Sequence, residues 1–244
     1  DVYGLDGTIK GSTQGSFPGA DEPALSETSK EADGAELIGP EATAYRGLVA
    51  RLNFLAQDRV DIRYATKEAG KWMAKPRAGH WGLVKRIGRY LKAYPRAMVR
   101  YEWQDMPSVV HTHVDSGWAG CKATCRSTSG GVASFGRHLL MGWSATHGVV
   151  ALSSGEAELY AMVKGAANTL GLISLLGDFG KKVDGKMSCD ASAAIGMVNR
   201  TGVGKLRHVR VQYLWLQGKV RGRELAVEKV RGEDNSADLL TKNV

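Results

Sequence analysis

Residues 150–162, Val-Ala-Leu-Ser-Ser-Gly-Glu-Ala-Glu-Leu-Tyr-Ala-Met, constrain the fold more than any other stretch of the chain. An apolar, strand-like end runs into two serines and then into a helix that carries paired acids. Ser153 or Ser154 can cap that helix, and Glu156 falls in its first turn, where an acid offsets the helix dipole. Ala157, Tyr160, Ala161, Val163 and Leu170 mark its buried side at roughly helical spacing. Capping accounts for Glu156. Glu158 is different, because a carboxylate among core-facing residues is costly unless it is paired or bound to a metal.

With 244 residues the chain can build one large or two modest domains. No run approaches the length of a membrane span, and Asp1-Val2-Tyr3-Gly4 has no signal-peptide character, so a cytosolic or nuclear setting with no membrane partner is expected. Cys121, Cys125 and Cys189 are odd in number and lack a second Cys or His pair at zinc spacing; they read as reduced thiols. Charge is uneven. Residues 1–44 hold nine acids against Lys10 and Lys30, a net of −7, so the other 200 residues carry +15 of the chain's overall +8. A basic body behind an acidic leader points to a polyanionic partner, nucleic acid first.

Residues 1–40 read as an acidic flexible linker, rich in Gly, Ser, Asp and Glu. Three helices follow within 41–105. The first starts at Pro40 and carries Tyr45, Leu48, Val49, Leu52 and Leu55; the second carries Ile62, Ala65, Ala69, Trp72 and Met73 and ends near Pro76. The third carries Trp81, Val84, Ile87, Tyr90 and Leu91, with Lys85, Arg86, Arg89 and Lys92 on its polar side. From 108 to 244 the pattern is α/β. A strand from Val109 ends at Asp115-Ser116-Gly117-Trp118, and two more flank Gly136-Arg137-His138. Then come the 151–177 helix, a strand at 187–190, a helix at 191–198, a basic helix at 205–220, a strand at 224–230 and a closing helix at 236–241. This order predicts a mixed sheet with helices on its faces. His111 and His113 alternate along one strand face and read as structural.

Asp115 and Asp190 stand at strand ends, Glu158 in the first turns of one helix, and Asp238 near the start of another. Four carboxylates so placed can converge, and such a cluster needs cations to be stable. All-oxygen ligation suits Mg²⁺ or Mn²⁺, and two such ions about 4 Å apart are a known device for cutting phosphodiesters.

Several strings come in order: Val114-Asp115-Ser116-Gly117-Trp118-Ala119-Gly120-Cys121, Arg126-Ser127-Thr128-Ser129-Gly130, Ala151-Leu152-Ser153-Ser154-Gly155-Glu156-Ala157-Glu158, Cys189-Asp190, and Ala237-Asp238-Leu239-Leu240-Thr241-Lys242. Together they resemble the ribonuclease H domain at the C-terminus of copia-type LTR retrotransposon Pol polyproteins. Upstream, residues 45–56 and 80–92 resemble the helical thumb or connection that follows the reverse-transcriptase palm, so the similarity spans about 41–244. The resemblance implies a ribonuclease H-like mixed five-stranded sheet with flanking helices. It implies catalytic, metal-holding carboxylates at Asp115, Glu158, Asp190 and Asp238, with two Mg²⁺ ions (or Mn²⁺) as cofactor. Asp115 would bridge both ions, Glu158 and Asp190 would complete the one at the leaving 3′ oxygen, and Asp238 the one that activates water.

The implied activity is endonucleolytic hydrolysis of the RNA strand of RNA–DNA hybrids during reverse transcription, beside the upstream palm of the same polyprotein. The implied location is a cytoplasmic virus-like particle or the nucleus. Arg126, Ser127, Lys205, Arg207, His208 and Arg210 are the candidates for contact with nucleic acid. The chain contains no Tyr-x-Asp-Asp polymerase motif. It departs from the family at Gly117 (usually an acid), Gly131 (usually aromatic), Ala191 (usually Asp or Asn) and Arg210 (usually an acid). The alternative reading is a nucleic-acid-binding remnant without turnover. An integrase-like strand transferase fits less well, because the acids run Asp-Glu-Asp-Asp.

Overall fold

The computed structural model describes residues 34–121, 123–202, 204 and 214–242. The acidic leader therefore lies almost wholly outside the described residues, as do Lys205, Arg207, His208 and Arg210.

Helix α1 (Gly39–Leu55) begins where Pro40 fits the first turn, since a missing N–H costs nothing there. It buries Ala42, Tyr45, Val49 and Leu52. A 3₁₀ turn (Val60–Ile62) leads into α2 (Arg63–Gly70), which ends sooner than its apolar spacing suggests, and α3 (Trp81–Ala93) completes the unit. These helices share one apolar cluster, with Tyr45, Val49, Ile62, Ala69, Val84 and Ile87 inside it. Tyr45 is fully buried, its hydroxyl donating to the Ala69 carbonyl at 2.8 Å, and burial pushes its pKa up to about 12.

The second cluster belongs to a five-stranded sheet made of β1 (Val109–Cys121), β2 (Arg126–Phe135), β3 (His138–Thr146), β4 (Asp184–Cys189) and β5 (Ala226–Lys229). The strand order is β3-β2-β1-β4-β5. β1, β2 and β3 form an antiparallel meander, whereas β4 and β5 run parallel to β1. This is the mixed five-stranded sheet expected. Helix α4 (Ser154–Asp178) crosses one face, and α5 (Ser192–Asn199) and α6 (Trp215–Arg221) lie in the β4–β5 connection. At Gly165 α4 lies tight against the sheet: a Cβ there would lie 2.4 Å from Val114. The opposite face meets the helical unit, where Lys67 Nζ donates to Thr128 Oγ1 at 2.8 Å and Arg63 donates to the Gly142 carbonyl.

Three expectations are corrected. β1 does not end over Asp115-Ser116-Gly117-Trp118 but continues to Cys121, because its pairing with β2 outlasts its pairing with β4. The closing helix over 236–241 is only a 3₁₀ turn, Asp238–Leu240, drawn tight by side-chain bonds to the sheet. And one helix, α4, is by length and composition long and apolar enough to cross a membrane. Here it packs along the sheet with Glu156 and Glu158 buried in its first turns.

Two positions where the sequence departs from the pattern it resembles, Gly131 and Ala191, have distinct settings. A Cβ at Gly131 would sit 2.0 Å from the Trp143 ring, so the indole of β3 fills the space above this residue. Ala191 is the N-cap of α5 and makes no side-chain cap bond. Ala191→Asn should therefore stabilise the protein by about 1 kcal/mol, raising Tm by roughly 2–4 °C for a chain of this size. Thermal unfolding of the two proteins side by side measures it, and an unchanged Tm would mean that α5 gains nothing from a cap.

Candidate active site

The last β1–β4 pair is His113 with Ser188. Asp115 and Asp190 each lie two residues further along, so they emerge at the same level. Asp115 is also opposite Gly130 of β2 and is 7 % exposed. The Thr241 hydroxyl bonds its Oδ2. Burial raises the Asp115 pKa, the Thr241 bond works against that rise, and Asp238 and Asp190 add to it.

Glu158 reaches the same place from α4. Ser153 caps this helix, its Oγ accepting the Glu156 N–H at 3.2 Å. Glu156 is committed to that helix start, accepting the Leu152 N–H at 3.0 Å and the Tyr160 hydroxyl. Glu158, half a turn on, is 8 % exposed. It accepts the Ser116 N–H at 3.2 Å and the Cys189 thiol at 3.7 Å. Burial first, then the negative charges of Asp115 and Asp190, push its pKa up to about 8. One ligand atom each from Glu158, Cys189 and Asp190 lies within 4.8 Å of the others. The Cys189 thiol is itself pushed far up by burial and by Glu158, which keeps it a proton donor to the carboxylate.

Asp238 approaches from the last turn. Its Oδ1 pairs with Lys242 Nζ at 2.7 Å, and this bond raises the Lys242 pKa. The terminal segment is tied to the sheet by side chains that the sequence reading gave no role. Buried Asn235 donates to the Val114 carbonyl at 2.9 Å, one residue before Asp115, and accepts the Ala237 N–H at 3.2 Å. Ser144 donates to the Leu240 carbonyl at 2.6 Å. Gly117 permits the approach, since a Cβ there would lie 2.7 Å from the Thr241 carbonyl oxygen. The signal for Asn235 was slight: one polar residue in the turn-rich run Gly232-Glu233-Asp234-Asn235-Ser236.

Asp115, Glu158, Asp190 and Asp238 thus gather at one place. Of the other candidates, Arg126 is exposed at the start of β2. Ser127 requires correction: it is fully buried and its hydroxyl accepts the Ala119 N–H at 3.0 Å, so it has no surface to offer nucleic acid. Lys205, Arg207, His208 and Arg210 lie outside the described residues.

The donor set fits a hard divalent cation. The carboxylates supply oxygen, two are held with raised pKa values, and a cation is what would relieve both burial and repulsion. The sign of the pH effect follows. Glu158 ionises near its ordinary 4.5 when unfolded and near 8 when folded, so the native state binds the extra proton between these values. Without divalent ions, stability should therefore fall as pH rises through that window. Glu158→Gln should match the wild type below pH 4.5, gain on it up to about 8 and level off above. Adding Mg²⁺ should raise the wild-type Tm and leave the variant's nearly unchanged. Parallel pH curves for the two proteins would show that Glu158 is not held protonated.

No protein-family model matches the chain. Among curated proteins it is 31% identical over 228 residues to the retrovirus-related Pol polyprotein from transposon RE1 of Arabidopsis thaliana, covering 92% of this chain. It is 30% identical over 206 residues to that from transposon RE2 of the same plant, covering 83%. The polyprotein from transposon TNT 1-94 of Nicotiana tabacum is 28% identical over 188 residues, 76% of this chain and 14% of that protein. The chain spans only 15% and 14% of the lengths of the RE1 and RE2 polyproteins. Among solved structures, LC11 ribonuclease H1 isolated from compost is 16% identical and aligns over 55% of this chain and 93% of its own, with a TM-score of 0.43. Ribonuclease H1 of Halobacterium salinarum is 19% identical over 55% and 94%, with a TM-score of 0.38. The fold itself stands on the strand order and pairing described above.

Proposed function

From its membership of the retrovirus-related Pol polyproteins of copia-type transposons, we propose that this chain is a ribonuclease H-type endonuclease that hydrolyses the RNA strand of RNA–DNA hybrids. The observation that carries the reading is the gathering of Asp115, Glu158, Asp190 and Asp238 from β1, α4, β4 and the terminal turn of a mixed sheet.

Asp115, Glu158, Asp190 and Asp238 would hold two Mg²⁺ or Mn²⁺ ions, which supply an activated water and charge stabilisation at the leaving oxygen. The chain's own task is to hold these ligands still. The Ser116 N–H and the Cys189 thiol orient Glu158. Thr241 orients Asp115, and Asn235 fixes the terminal turn to β1. Lys242 balances the charge of Asp238. Exposed Arg126, and the basic run with Lys205, Arg207, His208 and Arg210, would take phosphates of the hybrid, whose RNA strand is distinguished by its 2′-hydroxyls. Within a longer polyprotein this segment would act on hybrid made by the reverse transcriptase it accompanies.

The test is cleavage of a labelled RNA–DNA hybrid in Mg²⁺ and in Mn²⁺, beside Asp190→Asn. The expected result is cutting of the RNA strand alone, leaving 3′-hydroxyl and 5′-phosphate ends, and a loss of at least about 100-fold in the variant, as when a charge-stabilising group is removed. Hybrid binding without cutting in either metal would overturn the enzymatic reading and leave a nucleic-acid-binding remnant.

A further inference from the structure

Trp118 has no part in the chemistry above, yet the backbone is distorted to present it. β1 keeps register with β2 through Gly117 and then shifts, resuming only at Cys121. Inside the shift Ala119 has φ +50°, a left-handed conformation that is strained for a residue with a Cβ. Two bonds hold the distortion. The Ala119 N–H donates to the Ser127 hydroxyl at 3.0 Å, and the Trp118 indole N–H donates to the Ala151 carbonyl at 3.1 Å. Ala151 lies just before the cap of α4, the helix that delivers Glu158.

The ring is therefore fixed, its polar atom is satisfied inside the protein, and what remains outside is an apolar π-face. Trp118 is 52% exposed, with Leu152 at 68% and Val150 at 45% on the neighbouring loop. Along an extended strand it stands about 10 Å from Asp115. A rigid aromatic face beside the acidic centre offers an apolar surface against which a sugar of the duplex can pack, whatever the base attached to it.

We propose that Trp118 contacts the substrate, its exposed indole face packing against a nucleotide of the bound RNA–DNA hybrid next to the scissile site. This rests on the hybrid-hydrolysis reading. The test uses the full chain, a labelled hybrid and four proteins: wild type, Trp118→Ala, Trp118→Phe and, as a control, Trp103→Ala, which removes an exposed indole from the 94–107 connection. Affinity is measured without divalent ions, KM and kcat with Mg²⁺. Trp118→Ala should weaken binding and raise KM on the order of tenfold, with kcat within about twofold, as expected for one lost apolar contact of this size.

Trp118→Phe keeps a ring but cannot bond Ala151, and should recover most of the affinity. Trp103→Ala should behave as wild type. Wild-type affinity in Trp118→Ala would overturn the proposal. So would Trp118→Phe as defective as the alanine variant and with a lower Tm, which would make Trp118 a strut for the loop before α4. A wild type that neither binds nor cuts the hybrid would defeat the functional reading itself, and this inference with it.

Discussion

The parallel pairing of β1 with β4 sets the level at which Asp115 and Asp190 emerge side by side, and much of the molecule answers to the charge this concentrates. Glu158 is brought in from α4 to within 4.8 Å of Asp190. At that separation two full negative charges repel by about 3 kcal/mol even at a generous effective dielectric of 20. A chain seeking stability alone would not place three carboxylates there. The cost is limited by a Glu158 pKa pushed up to about 8, by a thiol and a backbone N–H that donate to it, and by the pairing of Asp238 with Lys242. Each device lowers the charge or supplies a donor, and none removes the oxygen atoms that a cation would use.

Close approach is the second constraint. The terminal turn reaches Asp115 by lying directly on the sheet, and it does so over Gly117 and Gly130, where a Cβ would meet Thr241 at 2.7 Å. The glycine at 117 is thus tied to how near Thr241 comes. Gly131 pairs in the same way with Trp143. Such departures are local exchanges of volume between neighbours. They leave Asp115, Glu158, Asp190 and Asp238 gathered at one place.

How legible this was in the sequence depended on the kind of signal. The cap at Ser153, the buried face of α4 and the hairpin at Gly136 follow from local chemistry and could be read directly. The four acids could be named from the sequence, although Asp115 lies inside β1 rather than at its end and Asp238 opens a 3₁₀ turn rather than a helix. The extent of β1 could not: its continuation past Asp115 is fixed by β2, a partner that periodicity does not identify. The 236–241 stretch has a helical composition, but Asn235 and Ser144 bind its backbone to the sheet and leave room for a single 3₁₀ turn. Ser127 shows the converse error. Its neighbour Arg126 faces outward, yet one residue along a strand reverses the direction of the side chain.

The raised pKa of Glu158 bears on the centre as a whole. A carboxyl whose pKa is pushed up to about 8 would have to release its proton before acting as a ligand, so binding of a divalent ion there would be linked to loss of that proton. Apparent affinity then rises with pH until the group is ionised without help, and flattens above. The Cys189 thiol works in the same direction. Because burial holds it protonated, it can stabilise ionised Glu158 as a donor, without competing for a hard cation as a soft ligand. Asp115 is raised by the same burial, but the Thr241 hydroxyl opposes the shift. Both buried acids therefore set burial against nearby donors: the Thr241 hydroxyl at Asp115, and the Ser116 N–H and the Cys189 thiol at Glu158.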